Sequence, residues 1–224
     1  MKAVKPIIET PWDSRALGID TYEIKSLSEE VLKEVVSQTG HFTARLDPLA
    51  SKKLLHDYGF YYCDTLVEPY CTQERFIFYE NSEVHIIRSA ALEDLIKISR
   101  HAFLYGRFHR DFNIDPELAE LRYVLWLKDL YSTGHVLGLM YQDQLAGFFG
   151  YSDNKIILHA LGEPYRVRGL AKYFWSLSCK ELFSLGHREL VSSISVSNVA
   201  VLNLYASLGF RFRNLLDVYH RLNR

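Results

Sequence analysis

Leu158-His159-Ala160-Leu161-Gly162-Glu163-Pro164-Tyr165-Arg166-Val167-Arg168-Gly169-Leu170-Ala171 decides how the rest of this chain is read. An apolar, strand-like run ends near Gly162. A turn carrying Arg166, Arg168 and Gly169 follows, and a helical pattern then extends from Gly169 to Ser184. Strand, basic glycine-containing loop and helix N-terminus, in that order, form a physical recipe for holding a pyrophosphate. The first N–H groups of a helix have no intrahelical partner, and the macrodipole places about half a positive charge beside them. Gly169 lets a ligand approach the backbone closely, and the arginines add mobile charge. The same residues also fit a surface turn with solvated arginines opening an ordinary amphipathic helix, so their surroundings must decide.

Upstream of the loop, three strands are expected at 135–141, 144–151 and 155–161. Tight turns at Gln142-Asp143 and Asp153-Asn154 join them into an antiparallel meander. Before them, Val84 to Arg88 reads as a strand and Ala91 to Phe103 as a helix; 105–114 is a polar and aromatic loop. Asp115-Pro116-Glu117 then opens a long helix with an N-cap acid and proline at the first helical position. Downstream, Glu189 to Val196 is a strand, and Ser197-Asn198 caps a short helix over 199–208 closed by Gly209. Phe210 to Leu222 alternates as a last strand, expected to be exposed and able to pair across a homodimer. This order predicts an α/β fold with a mixed, mostly antiparallel central sheet flanked by helices.

The N-terminal residues are less regular. Ser28 reads as the N-cap of a helix that stops near Gly40, and 49–58 as a second helix ended by Gly59. Phe60 to Val67 reads as an aromatic-rich strand. Turn residues close 72–82, which places a boundary between a smaller α/β unit over 1–82 and a second unit over 83–224. Leu55 to Phe60 echoes Leu204 to Phe210: both are helix ends followed by Gly-Phe and a strand.

Composition narrows the function classes. With 224 residues, 48% hydrophobic and 24% charged, the chain can build a sizeable core. A formal net charge of −1 gives no global field for nucleic acid, and no basic stripe with interleaved aromatics is present. Cys63, Cys71 and Cys179 have no C-x-x-C spacing and read as free thiols, so neither a disulfide frame nor a metal site is expected. Met1 to Glu9 shows no signal-peptide pattern, and no run approaches the ~18 apolar residues of a membrane span; the expected location is cytoplasmic.

Arg166-x-x-Gly169-x-Ala171 at a strand-to-helix joint resembles the cofactor signature of the GNAT superfamily of acyl-CoA-dependent N-acyltransferases. Ser197-Asn198-x-x-x-x-Asn203-x-Tyr205-x-x-x-Gly209-Phe210 is similar to that family's second characteristic stretch. The resemblance covers residues 83–222. Pro11-Trp-Asp-Ser-Arg-Ala-Leu-Gly-Ile19 and Gly106-Arg107-Phe108-His109-x-Asp111 further resemble a group of sugar-nucleotide amine acetyltransferases that includes TDP-fucosamine acetyltransferase. The chain departs from that group at Gly106, where its relatives are expected to carry serine.

The resemblance implies acetyl-CoA as acyl donor and a small-molecule primary amine as acceptor, and the narrower resemblance implies a nucleotide-linked amino sugar. Loop residues Arg166, Val167, Arg168, Gly169, Leu170 and Ala171 would hold the pyrophosphate. A backbone N–H near Leu161 would meet the thioester carbonyl, and Asn198 and Asn203 would contact the cofactor. Tyr205 is the candidate general acid, since a phenol stays protonated at neutral pH and can pass its proton to a leaving thiolate. His109, Asp111, His159 or a water chain could take the amine's proton. Arg107, His109 and Asp111 are candidates for holding the acceptor through charge-assisted hydrogen bonds. Cys179, inside a helix without a basic partner, argues against a cysteinyl intermediate and for direct transfer in a ternary complex. A GNAT enzyme for a protein N-terminus or another small amine, or a silent acyl-CoA-binding module, shares the same loop.

Overall fold

The computed structural model describes residues 5–100 and 102–224; Met1 to Val4, part of the N-terminal stretch read above, lie outside it, as does His101 within the helix expected over 91–103. In chain order the first elements are β1 (Ile7–Glu9), α1 (Pro11–Leu17), β2 (Thr21–Ile24), α2 (Glu29–Ser37), β3 (Gly40–Leu46), α3 (Lys53–Asp57) and β4 (Tyr61–Thr72). There follow β5 (Val84–Ile87), α4 (Leu92–Ser99), α5 (Pro116–Ser132), β6 (Val136–Tyr141), β7 (Gln144–Ser152) and β8 (Lys155–Leu161). The last are α6 (Ala171–Ser184), β9 (Glu189–Val191), β10 (Ile194–Ser195), α7 (Val199–Ser207) and β11 (Arg211–Asn223). From β5 onward the order is the one expected from the sequence, except that one expected strand is divided in two.

The chain divides into two compact units, one of residues 1–66, 105–122 and 214–224 and the other of 67–104 and 123–213. This division differs from a single boundary at residue 82: the loop after α4 and the end of β11 compact with N-terminal residues.

In the second unit, β5, β6, β7 and β8 form an antiparallel meander, and β8 meets β9 in parallel. The β6–β7 turn places Gln142 and Asp143 at φ of 47° and 60°, the left-handed pair that a two-residue hairpin demands. Side chains on a strand alternate between faces, and here both faces are covered. Phe149 and Tyr151 belong to a core shared with Phe174, Trp175 and Leu182 of α6. Phe148, Leu158 and Ala160 belong to a second core with Leu95 of α4 and Leu127 of α5. The helices start where the sequence places them. Asp115 Oδ1 accepts from Glu117 N (2.9 Å) at the start of α5, and Asn198 Oδ1 accepts from Val201 N (3.2 Å) at α7. The helix expected over 91–103 stops at Ser99, and the strand expected over 189–196 is split into β9 and β10. Ser192 breaks it by donating its N–H to Pro69 O and its hydroxyl to Ile156 O, 2.9 Å each.

In the first unit β1 pairs antiparallel with β2, and β2 parallel with β3. Residues 217–223 of β11 pair antiparallel with 40–46 of β3. This corrects the expectation of an exposed last strand free to pair across a homodimer: its hydrogen-bonding edge here is occupied by β3. Ile24, Leu32, Val35, Phe42, Ala44, Leu55 and Tyr219 form the core.

The sequence echo is a geometric one. Phe60 N donates to Leu55 O (2.9 Å) and Phe210 N to Tyr205 O (3.1 Å); Gly59 N donates to His56 O and Gly209 N to Ala206 O. Both glycines are left-handed, φ 71° and 87°. Glycine is required at 209 for a second reason, since a Cβ there would collide with the Arg75 carbonyl. One rigid helix stop thus fixes Tyr205, five residues before Phe210.

Candidate functional site

The loop between β8 and α6 has the features a phosphate cradle needs. No side chain caps α6 at Leu170, and its first turn carries no acid, so the positive end of the helix is uncompensated. Among the described residues the backbone N–H groups of Val167, Arg168, Gly169, Leu170 and Ala171 donate no backbone hydrogen bond. Val167 and Gly169 are both left-handed, φ 57° and 71°. For a β-branched residue this is a sparsely populated conformation, and Val167 holds it with its side chain fully exposed. Left-handed residues set among ordinary ones turn successive N–H groups into an anion-binding concavity. No atom lies within 4 Å of where a Gly169 side chain would begin, so glycine is there for its φ.

The arginines do something different from the expectation of mobile charge. Arg166 Nε donates to Leu161 O (2.8 Å), stapling the loop to the end of β8. Arg168 donates to Pro164 O (3.3 Å) and lies over the Tyr141 ring at 5.5 Å. Leu161 itself is buried, opposite Gly147 of β7.

Tyr205 is fully enclosed, its ring edge-on to Phe210 at 4.8 Å. Its hydroxyl lies 3.1 Å from His159 Nε2. His159 is half-buried, is the cross-strand neighbour of Phe149, and packs edge-on against Trp175 at 4.7 Å. Burial lowers His159 to about 4, so the ring is uncharged at neutral pH. Burial raises the Tyr205 pKa above the ordinary phenol range, opposed by the nearby Ser192 hydroxyl and Trp175 indole. Asn198 is occupied as the helix cap, whereas Asn203 is exposed on α7.

Arg107, His109 and Asp111 belong to the first unit. Arg107 pairs with Asp13 (3.5 Å), and Arg122 Nε also donates to Asp13. Both guanidiniums lie over the buried Phe108 ring, at 4.6 and 5.0 Å. The two stretches that resemble sugar-nucleotide acetyltransferases are therefore joined by an ion pair. His109 is half-buried, and burial lowers its pKa.

Asp111 is enclosed. Its carboxylate accepts from His220 Nδ1 (2.8 Å), His41 Nε2 (3.0 Å), the Tyr61 hydroxyl (3.0 Å) and Asn113 N (2.9 Å). Burial raises its pKa, but the hydrogen bonds from His220 and His41 outweigh it and hold the carboxyl well below the usual range. The three donor atoms of His41, Asp111 and His220 lie within 4.8 Å of one another, a grouping of metal-ligand types that the sequence reading did not foresee. The carboxylate is already saturated by donors, and it has no exposed surface to offer an acceptor.

Asp13, His41, Tyr61, Trp175 and His220, which touch the candidate residues, were not singled out by sequence reasoning. Asp13 lies inside a stretch already singled out for its resemblance. His41 and His220 share a sheet face only because of the β3–β11 register, which pairs His220 with Thr43. All three cysteines are free and buried. Burial pushes the Cys179 thiol far above its ordinary value, which removes it as a nucleophile. No helix among the described residues is long and apolar enough to cross a membrane.

A family model described as "Acetyltransferase (GNAT) family" matches residues 92–210, more than half of the chain. No curated protein matches. Among solved structures, the chain is similar to a GCN5-related N-acetyltransferase from Sphaerobacter thermophilus (TM-score 0.64, 10% identity, 96% of this chain and 76% of that one). It is also similar to a GCN5-related N-acetyltransferase from Kribbella flavida (TM-score 0.62, 10% identity, 99% and 89%). A tandem GNAT protein from the clavulanic acid biosynthesis pathway matches at TM-score 0.54 and 10% identity, over 90% and 75%. At these identities the likeness speaks for the fold.

Proposed function

The chain belongs to the acetyltransferase (GNAT) family and is an N-acetyltransferase with acetyl-CoA as donor, and we propose that it transfers the acetyl group directly to a primary amine on a nucleotide-linked sugar. The observation that carries the cofactor half of this reading is the uncapped, unpartnered row of N–H groups from Val167 to Ala171 beside the left-handed Val167 and Gly169. These amides would take the pyrophosphate, with Arg166 fastening the loop to β8.

In the reaction the neutral amine attacks the thioester carbonyl carbon and a C–N bond forms. The tetrahedral intermediate then collapses, the C–S bond breaks, and the thiolate takes the Tyr205 proton. The nitrogen's extra proton goes to a base. Burial lowers the His109 pKa and so favours the neutral form that a proton acceptor needs. His159 is committed to Tyr205. With every thiol buried, direct transfer needs no covalent enzyme intermediate.

The acceptor class rests on the resemblance of 11–19 and 106–111, two stretches that the Asp13–Arg107 pair links. Arg107 and Asp111 are engaged within the unit, by Asp13 and by His41, His220 and Tyr61 respectively. Thiol release from acetyl-CoA, measured over a panel of nucleotide-linked amino sugars, free amino sugars, polyamines and peptide N-termini, tests the reading. Turnover is expected to be at least tenfold faster with the sugar nucleotides. A peptide or polyamine as best acceptor would refute the acceptor class while leaving the acetyltransferase intact.

A further inference from the structure

We propose that His159 is the positioning residue for Tyr205, a role that rests on reading Tyr205 as the acid. An acid on a short helix is useful only if its oxygen is fixed relative to the thioester. The thioester is expected beside β8, whereas Tyr205 is on α7. The 3.1 Å contact between His159 Nε2 and the Tyr205 hydroxyl is a direct tie between those elements.

The imidazole can serve as that tie because it is packed among three aromatic rings. Phe149 stacks on it at 6.1 Å, Trp175 meets it edge-on at 4.7 Å, and Tyr205 at 6.0 Å. It is also partly exposed, whereas Tyr205 is fully enclosed. Being uncharged at neutral pH, it adds no positive charge that would favour the phenolate and deplete the acid.

The prediction separates His159→Phe, which keeps a ring and loses the polar edge, from His159→Gln, which retains a group able to reach the hydroxyl. Thiol release from acetyl-CoA is followed with an amine acceptor and with water alone, because the thiolate must leave in both reactions. His159→Phe is expected to lower kcat about tenfold, the scale of one hydrogen bond, with KM for acetyl-CoA changed less than twofold. His159→Gln is expected to recover most of that loss. On a Tyr205→Phe background, His159→Phe should add nothing further.

An undiminished kcat in His159→Phe overturns the proposal. So does a His159→Gln variant as impaired as the phenylalanine one, or an equal loss on both backgrounds, since a merely structural role predicts those results. Tyr205→Phe alone reports on the parent reading: full activity in that variant removes Tyr205 as the acid, whatever His159 does.

Discussion

Tyr205→Phe lowers thiol release from acetyl-CoA by about 10²–10³-fold and leaves CoA affinity unchanged, as expected for loss of a group that acts only when the C–S bond breaks. Phenylalanine keeps the ring that packs against Phe210, so the core around α7 survives the change. The lost hydrogen bond to His159 costs about 1 kcal/mol of stability, too little to unfold a domain. Activity therefore falls far more than folding, and a thermal melt run beside the assay shows the difference. The pH dependence carries a sign. Because burial raises the Tyr205 pKa, the acid stays protonated into more alkaline solution than an exposed phenol does. The alkaline limb of kcat in the parent enzyme is expected above pH ~10, and a limb below pH 9 would contradict the assignment.

Asp111→Ala is expected to destabilise the protein by about 3–5 kcal/mol, the scale for removing one partner from a buried charged network. His41, His220, Tyr61 and the Asn113 N–H would all lose their acceptor at once in a pocket without solvent. Chemical denaturation measures the loss, and a change under 1 kcal/mol would mean that the network contributes little. The folded-state pKa of Asp111 lies below its unfolded value of 3.8. Its stabilisation is thus fully present above that unfolded value and is lost as pH falls through the lower, folded one. The gap in stability between parent and Asp111→Ala should accordingly narrow on acidification below pH ~4 and stay constant between pH 6 and 8.

What the chain revealed beforehand was local. Glycine, arginine and the switch from strand to helix periodicity lie within a dozen residues around Gly169, so the strand–loop–helix joint was legible. So was the Asn198 cap that starts the Tyr205 helix. β3 was not, because His41 and Thr43, both buried, interrupt the apolar signal of Phe42, Ala44 and Leu46. Once β3 is missed, the partner of β11 is missed with it, and an interior strand reads as a free edge. The Asp111 network was hidden for the same reason, since its histidines are 179 positions apart in sequence and meet only through strand register. β1 and β2, three and four residues long, are too short for periodicity to register. Arg166 was read as mobile charge, and only geometry shows its Nε donating to the Leu161 carbonyl.

The measurement that bears most directly on this account is a calorimetric titration with acetyl-CoA of the parent protein and of the Arg166→Glu/Gly169→Asp double variant. Those changes cut the staple to β8 and place negative charge among the N–H groups offered to the pyrophosphate. Saturable binding by the parent, weakened at least 100-fold in a variant that melts as one folded species, is the predicted result. Equal affinity in both proteins would contradict the account, because the pyrophosphate would then lie somewhere other than the loop from Arg166 to Ala171.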